Sequence, residues 1–135
     1  MTRKLLIVLL LSLSAVWIQG CGGQGGTGNT EGPTSTGSSP QQAITGLSTA
    51  IQNGDIPGAL TYVAEASQDR IGSALQIMDT SSRLRLAVAV LGSKEVSESA
   101  SRSVYRGTMI LPDGQTVEET FEMVKEAGIW KFMNL

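Results

Sequence analysis

Residues 22–40, GGQGGTGNTEGPTSTGSSP, set the limit on what this chain can fold into. Seven of these nineteen residues are Gly, seven are Ser or Thr and two are Pro. Such a stretch buries too little apolar surface to offset its ordering entropy, so a flexible coil is expected. A Gly-rich chain of this length has an r.m.s. reach of ~25 Å and a full extension of ~65 Å. No strand precedes these glycines and no GK[ST] follows, so they do not read as a phosphate-binding loop. Of the 135 residues, those after residue 40 remain to form a packed body. Residues 41–135 suffice for one small domain and leave no room for a second core.

The chain has no histidine and a single cysteine. A Ser-His-Asp triad, a Cys-His pair and a His-ligated metal are excluded on that ground. So are an internal disulfide, a CxxC redox pair and a cysteine zinc site. No cofactor is expected. Ten basic residues stand against twelve acidic ones, and beyond Arg3 and Lys4 the basic residues are scattered from Arg70 to Lys131 without a run. Nucleic acid binding depends on concentrated phosphate contacts, so this distribution argues against a nucleic acid partner.

Ahead of the Gly-rich tract, Arg3-Lys4 precedes the apolar run Leu5 to Ile18, LLIVLLLSLSAVWI. A membrane-spanning helix needs about 20 such residues. The shorter run suits the hydrophobic region of a signal peptide over residues 1–20. It ends in Ile18-Gln19-Gly20-Cys21, which resembles the lipobox of bacterial lipoproteins: a branched apolar residue, a tolerant position, a small residue and cysteine. The resemblance implies cleavage between Gly20 and Cys21, a diacylglycerol on the Cys21 thiol and acylation of the new amino group. Two or more acyl chains anchor a protein stably where one does not. Residues 21–40 would then be a lipidated cysteine and its tether, and the membrane a partner through that anchor. The expected location is the bacterial cell envelope. Gly22 is not the aspartate that retains many such proteins at an inner membrane, so the outer membrane is favoured where a cell has two. The plain alternative is an ordinary signal peptide with an incidental cysteine.

In the body, Ser39-Pro40 is a helix start, and Ile44, Leu47 and Ile51 follow at helical spacing as far as Asn53-Gly54. Asp55 is placed to cap a second helix with Ala59, Leu60, Val63 and Ala64 as its apolar stripe. Ser67 is placed to cap a third, striped by Ile71, Ala74, Leu75 and Met78. Ser81 or Ser82 begins a fourth, in which Leu84, Ala87, Val88 and Leu91 fall at i, i+3, i+4 and i+7, and Gly92 ends it. Strand formers then take over. Lys94 to Ser99 reads as a weak edge strand, Ser101 to Leu111 and Thr116 to Lys125 flank Asp113-Gly114, and Ile129 to Leu135 follows Ala127-Gly128. Helices followed by a run of strands predict an α+β fold, with the helices on one face of an antiparallel sheet of three to four strands.

The segments QNGDIPGAL, VYRGTMILPDGQT and FEMVKEAGIWKF are similar to segments of small secreted proteins in the cystatin-like or nuclear-transport-factor-2-like superfamily. The likeness extends to bacterial lipoproteins built on one such domain. It implies a curved sheet wrapping the helices, often with a pocket at the open end, and it brings no catalytic motif.

If both turns are two-residue turns, Leu111 lies opposite Thr116 and Met123 opposite Phe132. One sheet face then carries Val104, Arg106, Thr108, Ile110, Val117, Glu119, Phe121, Met123, Trp130 and Phe132. The other carries Tyr105, Met109, Leu111, Val124, Ile129, Met133 and Leu135, with Glu118 and Glu122. On this register Arg106 and Glu119 make a polar pair at the mouth of an apolar pocket, with Tyr62 and Trp130 as candidate ligand-lining aromatics. The competing reading makes the first two a wet rim pair and the aromatics core filling. Asp55 and Asp69 read as helix-cap and first-turn acids rather than general bases.

Three functions stay open. The leading one is a non-enzymatic lipoprotein module that binds a small ligand or a protein. The second is an isomerase- or hydrolase-like enzyme in a cystatin-like cone. The third is a structural partner in an envelope assembly. The apolar second face predicts a homodimer or an envelope protein packed on the sheet.

Overall fold

The structure, a computed structural model, describes residues 37–135. The expectations for Gly20, Cys21 and the tract as far as residue 36 lie outside the described residues. Helix α1 spans Pro40–Gln52. Ser39 Oγ accepts the Gln42 N–H at 3.2 Å and Gln42 Oε1 accepts the Ser39 N–H at 3.3 Å, a reciprocal capping box. The helix buries Ala43, Ile44, Leu47, Ser48 and Ile51 and ends at Asn53, with Gly54 at a φ of +71°.

Helix α2 covers only Ile56–Leu60, capped by Asp55, whose Oδ1 accepts the Gly58 N–H at 2.9 Å. The expected stripe through Val63 and Ala64 is corrected, because those two residues are extended. Val63 forms a parallel bridge with Phe132. The Ala64 N–H donates to the Phe132 carbonyl at 2.8 Å, and the Phe132 N–H donates to the Tyr62 carbonyl at 2.7 Å. A sheet edge needs its backbone groups satisfied, and residues 62–64 do that for the last strand. On the same edge the Trp130 N–H donates to the Gly37 carbonyl at 2.7 Å, so packing onto the sheet begins before α1.

A 3-10 turn, Glu65–Ser67, leads into α3, Gln68–Ile77. Ser67 makes no cap hydrogen bond; its hydroxyl donates instead to the Met133 carbonyl at 2.8 Å. Helix α4, Thr80–Leu91, is capped by Asp79 rather than by Ser81 or Ser82. Its buried residues are Leu86, Ala87, Ala89 and Val90. Of the stripe read from the sequence only Ala87 is buried, while Leu84, Val88 and Leu91 face outward. The sequence RLRLAVAVL is apolar nearly all round, so periodicity alone does not select the buried face.

Four antiparallel strands follow in the order β1 (Lys94–Glu98), β2 (Arg102–Ile110), β3 (Thr116–Glu126) and β4 (Ile129–Asn134). Bulges at Val96 in β1 and Met133 in β4 interrupt the pairing and help curve the sheet over the helices. The β3–β4 register is the expected one, with Met123 opposite Phe132 and Lys125 opposite Trp130 across the Ala127-Gly128 turn. Both turn residues have positive φ, 49° and 83°, as a type I′ turn requires.

The β2–β3 register differs by one residue. Ile110, not Leu111, lies opposite Thr116. Leu111 and Gln115 close the loop at 2.8 Å, the Gly114 N–H donates to the Leu111 carbonyl at 2.9 Å, and Gly114 has a φ of +84°. Pro112-Asp113-Gly114 is therefore a three-residue loop, a turn ending in a left-handed glycine. One added loop residue flips every β2 side chain relative to β3. Ser103, Tyr105, Gly107 and Met109 join Phe121 and Met123 on the inner face, whereas Val104, Arg106, Thr108 and Ile110 point outward.

The core lies between α1, α4 and the inner sheet face, with Ile44, Leu47, Leu75, Val90, Phe121, Met123 and Phe132 among its fully buried side chains. This is an α+β fold with helices on one face of a curved antiparallel sheet, the layout that the cystatin-like resemblance implies.

Candidate functional site

A cleft of about 220 Å³ opens between α3, Leu86 of α4 and the inner sheet face. Helix α3 supplies Ile71, Ala74 and Leu75, which share one helical face at i, i+3 and i+4, and Met78 follows just past its end in extended backbone. Leu86 of α4, Met109 of β2 and Leu135 complete an apolar wall. The one-residue loop extension puts Met109 here, together with Glu119, which lies opposite Gly107 in the ladder. Gly107 has no room for a side chain, because a Cβ there would overlap the Ala89 carbonyl oxygen and the Phe121 ring. That close approach seats α4 against β2.

Two charged groups border the apolar wall. Glu119 is half-buried and makes no ion pair with any described residue. Arg70, at the exposed rim, donates to the Met133 carbonyl at 3.0 Å and to Asn134 Oδ1 at 3.3 Å, which fixes the end of β4 against α3. The cleft can therefore enclose a small apolar body while meeting one polar group with a carboxylate or a guanidinium.

The four residues singled out as a ligand site do not come together. Arg106 lies on the outer sheet face opposite Thr120 and approaches Glu118 at 3.8 Å, with both side chains more than half exposed. It is on the other face from Glu119, which corrects the expected Arg106–Glu119 pair. Arg106 and Glu118 border a separate open hollow beside Val88 and Val96. Tyr62 lies over Gly46 of α1, where a Cβ would overlap its ring, and borders a third hollow near Asp55. Trp130 is 4% exposed and belongs to the core, with Lys125 over its ring at 5.6 Å. Arg70 was not singled out from the sequence. Its pointer was the α3 stripe, which runs on to Met78 past the fully buried positions.

The apolar second face is also corrected. Met109 and Leu135 pack against the core, and Val124, Ile129 and Met133 are half-buried. Val124 and Ile129 stay on the outer face, where Val104 and the exposed Ile110 join them beside Arg106 near Glu118 and an Arg102–Glu122 ion pair.

Elsewhere burial pushes the Tyr105 phenol up, with its hydrogen bond to Ser103 opposing and Glu95 and Glu98 adding. The buried polar side chains among the described residues are the hydroxyls of Ser48, Ser67 and Ser103. Among the described residues no cluster of three or more His, Cys, Asp or Glu could hold a metal ion, and no helix is long and apolar enough to cross a membrane.

No family model and no curated protein matches the chain. Among solved structures it is similar to an assigned NTF2-like transpeptidase from Campylobacter jejuni, at a TM-score of 0.47 and 9% identity over 72% of this chain and 99% of that one. A SEC-C motif containing protein from Rhodopseudomonas palustris gives 0.46 and 15% over 79% and 84%. An assigned calcium/calmodulin dependent protein kinase II association domain from Xanthomonas campestris gives 0.39 and 14% over 65% and 76%. At these scores the likeness is one of layout, and the fold stands on this chain's own elements.

Proposed function

We propose that this protein is a lipid-anchored binding domain of the bacterial cell envelope, held through Cys21, whose cleft takes a small ligand with an apolar body and one polar group. The cleft carries this reading: Ile71, Ala74, Leu75, Met78, Leu86 and Met109 form an apolar wall, with Arg70 and Glu119 at its border. The finer placement in the cystatin-like superfamily, and at the outer membrane of a two-membrane cell, belongs to the same proposal. Its support is the Gly20-Cys21 sequence and the helices-then-sheet order.

Glu119 supports a second reading, an isomerase-like enzyme in which that carboxylate is the general base. Binding of anilinonaphthalene sulfonate, an apolar anion, tests the cleft directly. Its fluorescence should rise with the wild type, fall with Arg70→Gln and vanish with Ala74→Phe, whose site is exposed at the cleft wall. Undiminished fluorescence in Ala74→Phe would exclude the cleft as the binding site. Turnover of a carbonyl substrate that disappears in Glu119→Gln would establish the enzyme instead. Fatty-acid labelling tests the anchor: label should appear on the wild type and be absent from Cys21→Ser.

A further inference from the structure

Among the described residues nothing packs on the outer face of α4. Leu84, Val88 and Leu91 form a stripe there at i, i+4 and i+7 and are 42%, 61% and 47% exposed. Arg85 stands about 100° from Leu84 around the helix axis, its guanidinium donating to the Ser82 hydroxyl oxygen at 2.9 Å, and Lys94 follows shortly after Leu91. From Thr80 to Lys94 the sequence contains no acid. Asp79, which precedes it, is engaged by the Ser82 N–H at 2.8 Å and the Ser82 hydroxyl at 2.7 Å. The acids nearest Val88 on the sheet side are Glu95 and Glu118, and Lys94 and Arg106 share their hollow.

We infer that this apolar, base-flanked face of α4 is a contact surface for an anionic lipid bilayer. Leu84, Val88 and Leu91 enter the headgroup boundary while Arg85 and Lys94 meet the lipid phosphates. A second copy of this chain fits the face poorly. A two-fold contact would oppose the same basic residues across the interface, with no acid on either helix face to offset them. The chain outside the structure points to the same occupant. Sixteen steps separate Cys21 from Gly37, a length over which a Gly-rich chain has an r.m.s. span of about 22 Å. An anchor at Cys21 would hold the face at high local concentration beside the membrane, so a weak contact suffices. The inference leans on the anchor reading for that strength alone and makes no use of the cleft.

The core cluster runs from Ala43 to Phe132, so the chain from Cys21 onward retains it. That chain, with its thiol blocked, is sedimented with vesicles of equal parts phosphatidylglycerol and phosphatidylcholine, or of phosphatidylcholine alone. Partition onto the anionic vesicles should exceed the neutral ones by about tenfold or more, and Arg85→Gln should weaken it about fivefold. High salt should weaken it further. Val88→Asp combined with Leu91→Asp, both exposed positions, should abolish it while circular dichroism stays unchanged. Equal partition onto the two lipids, no partition onto either, or full partition of the double variant would overturn the proposal. A dimer that grows with concentration without lipid, and is lost in the double variant, would assign the face to a second copy. Absence of fatty acid on Cys21 in cells would remove the anchor alone and leave the vesicle result standing.

Discussion

Helices α1 and α4 pack side by side and are nearly equal in length, 13 and 12 residues, yet they present opposite problems to a reader of the sequence. Helix α1 alternates Gln41, Gln42, Thr45, Thr49 and Gln52 with its apolar residues, so only one face can be buried. Helix α4 offers two apolar faces, one of Leu84, Val88 and Leu91, the other of Leu86, Ala87, Ala89 and Val90. The second is buried, and its alanines explain why. Ala89 lies directly over Gly107 of β2, and the Ala87 carbonyl accepts the buried Ser48 hydroxyl of α1 at 2.8 Å. Such close approach admits small residues and excludes the bulkier stripe. Packing chose the face that carries two alanines, and Leu84, Val88 and Leu91 were left outside, where they are free to meet a partner.

The widest split between the two helices should come from truncating equivalent leucines. Leu47→Ala, at a fully buried site, should cost about 2–5 kcal/mol. Leu84→Ala, at a site 42% exposed, should cost well under ~1 kcal/mol. Urea unfolding of both variants measures the difference. Equal losses would mean that α4 buries the face assigned here to solvent.

The same contrast explains what was legible in the sequence. The helix starts at Ser39 and Asp55 and the Ala127-Gly128 turn follow from local chemistry, and the structure has them where the pattern put them, while of the α3 stripe Ile71 and Leu75 are buried, Ala74 is exposed and Met78 lies past the helix end. The β2 face was not legible. Its register hangs on whether Pro112-Asp113-Gly114 is a two- or three-residue loop, and Asp-Gly suits both. That single residue moved Met109 and Tyr105 inward and Arg106 outward. It separated the expected Arg106–Glu119 pair by turning Arg106 away while Glu119 stayed on the face of Phe121 and Met123, and it brought Met109 beside Glu119, so the cleft depends on a tertiary choice that no local motif records. The short reach of α2 has a similar origin, since the β4 edge claims residues 62–64 for pairing.

A smaller effect tests the close approach itself. Gly107→Ala should destabilise by about 1–3 kcal/mol through overpacking, because the new Cβ meets the Ala89 backbone and the Phe121 ring. Thermal unfolding measures the loss. A neutral result would show that α4 can slide away from β2 and that close approach does not select its buried face.

The finest distinction lies in the caps. Ser39 caps α1 through a hydroxyl, and Asp79 caps α4 through a carboxylate that accepts the Ser82 N–H and hydroxyl. These hydrogen bonds, the Ser82 hydroxyl first, hold the Asp79 carboxyl below its usual value. An unfolded aspartate titrates near ~3.9. A carboxylate with a lowered folded pKa contributes stability above that value, and the contribution fades as pH falls through the folded one. Ser39→Ala should therefore lower stability by about 1 kcal/mol at every pH. Asp79→Ala should lower it near neutrality and lose its effect toward acid, so the wild-type and variant melting curves converge there. Asp79→Asn, which keeps a capping acceptor without titrating, should behave as Ser39 does and show no added acid sensitivity. Melting temperatures of the three variants followed from neutral pH into acid make the comparison. An Asp79→Ala deficit that stays constant on acidification would show that the α4 cap does not depend on the charge.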